Sequence, residues 1–125
     1  MFDCHGSLDL YCWDGGKTWV AGGEPNGSTK SIARATEVVA ETLLEAMRPG
    51  AKISELQALS RDAYRKANVS NADNAIIFFH GLGLSHMDIQ LTCSDGSPNS
   101  DWLLEENMVV PMHLLYPGGS KERYW

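Results

Sequence analysis

Between residues 28 and 50 the chain carries a pattern that only a layered fold can absorb. Ile32, Ala35, Val38, Val39, Leu43, Ala46 and Met47 fall at helical spacing, while Arg34, Glu37, Glu41 and Glu45 take the other faces. Such a helix draws most of its stability from burying its apolar stripe, so a second apolar layer must exist. Ser28 or Thr29 serves as its N-cap, and Arg48-Pro49-Gly50 ends it. A second helix follows at once. Ser54-Glu55-Leu56-Gln57 reads as a capping box, with Ile53 placed to staple against Ala58. Leu56, Leu59, Ala63, Tyr64 and Ala67 form its stripe, and the polar stretch 68–74 loops out.

The flanking segments supply the other layer. Residues 8–13 (LDLYCW) are apolar and aromatic, Gly15-Gly16 is a turn signal, and residues 17–21 (KTWVA) continue as a second strand. Residues 22–27 are a loop. After the helices, Ile76-Ile77-Phe78-Phe79 is a short buried strand running into His80-Gly81-Leu82-Gly83. Residues 89–92 suggest another strand, and 94–100 (SDGSPNS) are turn chemistry throughout. Residues 108–115 are an apolar strand interrupted by Pro111, followed by a turn at 116–119. The order β-β-α-α-β-β argues for an α+β fold, with helices on one face of a largely antiparallel sheet. The 125 residues amount to a single domain, 1–125. The chain opens on a candidate strand and stops at Arg123-Tyr124-Trp125, as if a new strand were starting. It reads like the middle of a larger domain.

Charge and cysteine content narrow the function classes. Ten Lys and Arg against sixteen Asp and Glu give a formal net charge of −6. A phosphate backbone would be repelled, so nucleic acid is not the expected partner. No apolar run has the length of a membrane span, and the first residues show neither a basic nor an apolar leader region. Cys4, Cys12 and Cys93 form no C-x-x-C pair, which fits reduced thiols in a cytoplasmic protein.

Five residues carry potential chemistry. Asp3 and Asp14 stand 11 residues apart around the first strand pair. His80 ends a buried strand, His86 follows six residues later, and His113 lies within the apolar run 108–115. Carboxylates and imidazoles on neighbouring β elements suit a divalent Mn, Fe, Co or Zn ion. On spacing alone, solvated turn aspartates and satisfied core histidines explain the same residues.

Four sequence blocks bear on that choice. Asp3 is followed by Tyr11-Cys12-Trp13-Asp14-Gly15-Gly16-Lys17-Thr18-Trp19-Val20-Ala21-Gly22. Further on come Met47-Arg48-Pro49-Gly50-Ala51, then Phe79-His80-Gly81-Leu82-Gly83-Leu84, then Leu104-Glu105-Glu106-Asn107-Met108-Val109-Val110. In this order they resemble the catalytic domain of the pita-bread metallohydrolases: methionine aminopeptidase, aminopeptidase P, prolidase, creatinase and relatives, peptidase family M24. The spacing of the two aspartates is that family's spacing. Lys17 stands at the family's Arg, Trp19 at its Phe and Gly16 at its Thr. His113 occupies the position of a Glu ligand, His86 comes one residue early relative to the second family histidine, and the final Glu ligand would lie beyond Trp125.

The resemblance implies a partial pita-bread fold, with helices packed on a curved, largely antiparallel sheet. It implies Asp3, Asp14, His80 and His113 as metal positions for one or two divalent ions, with His86 as a catalytic imidazole. The expected activity is that of a metal-dependent hydrolase of the aminopeptidase or prolidase type. Metal-activated water would attack an amide or related bond of a small peptide or small molecule. Two alternatives stand beside it: a catalytically degenerate, metal-free binding module, and a lyase relative acting on a small osmolyte. The family's habit and the unpaired sheet edges lead us to expect a homodimer or larger homo-oligomer.

Overall fold

The structure, a computed structural model, describes residues 2–88, 101–117 and 123–124. The chain opens with a hairpin: β1 (Phe2–Leu8) pairs antiparallel with β2 (Tyr11–Lys17). Its turn is Asp9-Leu10, both with positive φ of 49° and 74°, the geometry that matches the twist of two strands joined by a two-residue loop. The Gly-Gly signal at 15–16 therefore does not mark the turn, and the segment 18–21 is not a strand. Both glycines lie inside β2, where Gly16 faces Asp3 across the ladder. A Cβ at Gly16 would sit 3.3 Å from the Phe2 carbonyl and 3.4 Å from Asp3 Oδ1, so close strand approach explains this glycine.

Helix α1 (Gly27–Ala46) starts two residues earlier than its first serine suggests. Asn26 is the N-cap, its side chain accepting the Thr29 N–H at 2.8 Å. Ile32, Ala35, Val39 and Leu43 are buried, whereas Val38 is exposed. Helix α2 (Ile53–Lys66) begins without a local side-chain cap. Asp101 supplies the acceptor instead, taking the Ser54 N–H at 3.2 Å from far along the chain. The segment that brings Asp101 there is stitched to the start of α2: Ile53 N–H donates to Trp102 O, and Leu104 N–H to Ala51 O.

Beyond a 3-10 turn at Ala72–Asn74, β3 (Ile76–Phe79) pairs antiparallel with β4 (Met112–Pro117), which pairs with β5 (Arg123–Tyr124). The expected start of β4 shifts to just past Pro111, a residue that cannot donate to a ladder. The strand and turn expected over 89–100 lie outside the described residues, as does Cys93.

Alternation along β3 separates two faces. Ile77 and Phe79 are fully buried in one core with Val39, Leu43, Ile53, Leu56, Tyr64, Leu114 and Tyr116, so the helices cover this side. Phe78 and His80 turn to the other side, and the register sets His113 beside Phe78. The hairpin is joined to this region by the Cys12 N–H, which donates to Gly83 O at 2.8 Å. The result is an α+β arrangement with antiparallel pairing, as the sequence pattern implies. Among the described residues, no helix is long and apolar enough to cross a membrane.

Candidate metal centre

Three elements converge on the uncovered face. Asp14 comes from β2, His80 from the residue after β3, and His113 from β4. Asp14 Oδ2 lies 3.1 Å from Nε2 of His80, 3.1 Å from Nε2 of His113 and 3.1 Å from Nε2 of His86. His80 and His113 also meet Nε2 to Nε2 at 3.1 Å, their rings stacked with centroids 5.2 Å apart. The Asp14 and His80 side chains are 4% and 2% exposed, His113 11% and His86 35%. One imidazole therefore faces solvent while the others are enclosed.

The tautomer of His80 follows from its other nitrogen. Nδ1 is 2.9 Å from Gly81 O. A carbonyl only accepts, so Nδ1 carries the hydrogen and a neutral His80 points a bare Nε2 lone pair at Asp14 and His113. Two acceptors in contact need a proton or a cation between them. Asp14, His80 and His113 offer ligand atoms all within 4.8 Å of one another. One carboxylate and two imidazoles are a donor set for a borderline divalent cation, and the Gly81 carbonyl supplies the outer hydrogen bond that orients such a ligand.

Electrostatics favour the ligand-ready charge states. Burial pushes the Asp14 carboxyl up, but the His86 hydrogen bond, the His113 charge and the His80 hydrogen bond outweigh it, and Asp14 titrates below its ordinary value. Burial pushes the His113 imidazole down, the Asp14 charge opposes this, and neighbouring His80 adds to the depression; His113 stays neutral below its ordinary range.

The cavity over these groups has a volume of about 180 Å³. That is small beside ligand pockets of roughly 300–1,000 Å³, so it holds an ion and one small polar group. Asp3 lines it but is not among the mutually close ligand atoms. His86 also lines it, bound to Asp14 from outside that group. His5 completes the lining, and sequence reasoning passed it over. All four histidines of the chain face this one cavity. His5 stands directly opposite Asp14 in the hairpin register, and its ring stacks on His86 at 4.0 Å. The signal that finds it is period-two alternation from Asp3, combined with the register that the Asp9-Leu10 turn sets. A larger cavity, about 990 Å³, opens between the stretch after β2 and α1, lined by Trp19, Val20 and Arg34; it shares no residue with the imidazole cluster.

Against known proteins, the sequence profile described as metallopeptidase family M24 matches residues 1–121. No curated protein matches the chain.

Proposed function

The chain belongs to metallopeptidase family M24, a family of metal-dependent hydrolases, and from that premise we propose a hydrolase of the aminopeptidase or prolidase type centred on Asp14, His80 and His113. The observation that carries this reading is the convergence of three imidazole Nε2 atoms on one buried carboxylate oxygen, each at 3.1 Å. A divalent cation held there supplies Lewis acidity, acidifying water toward neutral pH and polarising a carbonyl.

The chain's own residues have separable roles in this proposal. Asp14 and His113 supply the anionic and neutral donors, and His80 presents its lone pair because Gly81 fixes its tautomer. Histidine in the family's Glu position removes a group able to bridge two ions, so the proposed centre is mononuclear. Its metal is Mn, Fe, Co or Zn. Asp3, on the cavity lining, adds negative charge beside His113 and stands in reserve as a further ligand. His86, the most open of the three imidazoles around Asp14, is the group an entering substrate meets; it orients the scissile carbonyl or stabilises the oxyanion formed from it. The small cavity suits the end of a short peptide or a small amide.

Reduced Cys4 and Cys12 accord with a cytoplasmic setting. Assembly as a homodimer belongs to the same proposal, supported by the apolar residues Phe2, Leu8, Tyr11 and Trp13 exposed on the hairpin. The experiment is metal content per chain, by elemental analysis after purification without a metal-affinity step, followed by a screen of dipeptides and small amides. About one ion per chain with metal-dependent cleavage supports the reading. Absence of bound metal after reconstitution sinks it and brings forward the binding-module alternative.

A further inference from the structure

His86 arrives on a stretch, 81–88, that is neither helix nor strand. Its backbone is tied by Leu82 N–H to Val109 O, Gly83 N–H to Ser85 O and Asp88 N–H to Gly81 O. None of these bonds fixes the imidazole itself. Among the described residues the ring meets Asp14 Oδ2 at Nε2, the His80 ring at 5.5 Å edge-on, and the His5 ring stacked at 4.0 Å with a 22° interplanar angle.

His5 and Asp14 are cross-strand partners on one face of the hairpin. They rise side by side from a rigid ladder, and the His86 ring lies along one while its Nε2 reaches the other. Without the stacked surface, an imidazole more than a third exposed would recover its rotamer freedom, and Asp14 would keep its partner only part of the time. The His5 ring makes no hydrogen bond to Asp14 among the described contacts and stands outside the group of mutually close ligand atoms.

We infer that His5 is a positioning residue: its ring face clamps His86 against Asp14 and so orients the carboxylate that serves the metal centre. The consequence for metal binding rests on the reading above; the clamp itself does not. An outer partner that orients a ligand raises metal affinity without changing the ligand count.

Two substitutions separate a ring face from a nitrogen. His5→Phe keeps the flat surface and removes both nitrogens, whereas His5→Ala removes the surface. In metal-free protein, the His86 Hδ2 and Hε1 resonances are read by NMR, assigned through His86→Gln. The ring-current displacement is retained in His5→Phe and lost in His5→Ala, while the His80 and His113 resonances stay in place. Zn(II) affinity, read against a chromophoric chelator, falls about 3–10-fold in His5→Ala, the scale of one aromatic pair. It stays within about twofold of the parent in His5→Phe, with unchanged stoichiometry.

Equal loss in both variants makes His5 a nitrogen donor and overturns the clamp. Parent-like resonances and affinity in His5→Ala overturn it as well. If the parent binds none of Mn, Fe, Co or Zn, the hydrolase reading fails, and the His86 resonances in metal-free protein still decide the clamp.

Discussion

His80 Nε2 and His113 Nε2 face each other at 3.1 Å. With Nδ1 of His80 committed to the Gly81 carbonyl, only a proton on His113 or a cation can relieve two opposed lone pairs. A neutral His113 carries at most one hydrogen at Nε2, which can serve His80 Nε2 or Asp14 Oδ2 but not both, whereas a cation accommodates all three groups. The pair is poised for metal, which gives the first prediction. His113→Ala and Asp14→Ala each lower Zn(II) affinity by at least the roughly 10–100-fold range seen when supporting partners of a metal ligand are lost. Chelator competition reads the change. Parent-like affinity in His113→Ala would show that the ion sits elsewhere.

Acid should destabilise the metal-free protein in two steps. The folded-state value of His113 is depressed, so its contribution is fully present above about pH 6.5 and is lost as pH falls toward the folded value. The Asp14 carboxyl is also depressed; its contribution is present above its ordinary value of 3.8 and is lost as pH falls through the still lower folded value. Urea midpoints of the chelator-treated protein should therefore drop as pH falls below about 6.5, then again below about 3.8. A midpoint that rises on acidification over the first window contradicts the depressed imidazole. Metal binding falls over the same range, because the imidazoles must shed protons to ligate.

The helices were legible because their signal is local. Periodicity placed Ile32, Ala35, Val39 and Leu43 on the buried face of α1. In α2 the stripe was offset: Gln57 and Ser60 are buried beside Leu56, while Leu59 is only half-buried. Both polar residues satisfy themselves on backbone carbonyls, Gln57 on Ile77 O and Ser60 on Leu56 O. The first of these acceptors is twenty residues away, where no helical pattern can reveal it. The hairpin was misread for a similar reason. Asp9 and Leu10 adopt positive φ without glycine, whereas Gly16 of the visible Gly-Gly pair serves close strand approach near Asp3. That register decides who stands opposite Asp14, so His5 stayed hidden. Asp14, His80 and His113 were candidates by residue type, but only family likeness set them above turn aspartates and core histidines, because they meet from three separate elements.

Alkaline pH tests the packing of the helices. Tyr64 is fully buried and donates its hydroxyl to Thr36 Oγ1 at 3.2 Å. Burial raises its phenol, with nearby Tyr116 adding to the shift. Its stabilising contribution is therefore whole below pH 10 and is lost as pH rises through the raised value. Tyr64→Phe should cost about 0.5–1.5 kcal/mol at neutral pH for the lost hydrogen bond. It should also flatten the loss of thermal stability above pH 10. If the variant and parent lose stability equally there, another group governs alkaline unfolding.

Contrasting substitutions on α1 test which face is buried. Leu43→Ala empties a fully enclosed site and should cost about 2–5 kcal/mol. Val38 belongs to the same sequence stripe but is 46% exposed, so Val38→Ala should stay within about 0.5 kcal/mol. Chemical denaturation of both, with similar m values, reads the difference. Equal costs would place Val38 in an interface with another surface.

Gln57 links the helical layer to the strand that carries the centre. Its Nε2 donates to Ile77 O at 2.8 Å, one residue before Phe78 and three before His80. Gln57→Leu keeps most of the volume and removes the donor, leaving a strand carbonyl facing an apolar side chain. The cost should be about 1–3 kcal/mol, the penalty for an unsatisfied buried acceptor. His80 remains anchored by Gly81 O and by Asp14, so zinc affinity should change far less than stability does. Thermal unfolding and chelator competition on the same preparation separate the two effects. A large affinity loss with little destabilisation would mean that the Gln57 bond sets the position of His80 itself, and that the metal centre depends on the helix behind it as well as on the strands around it.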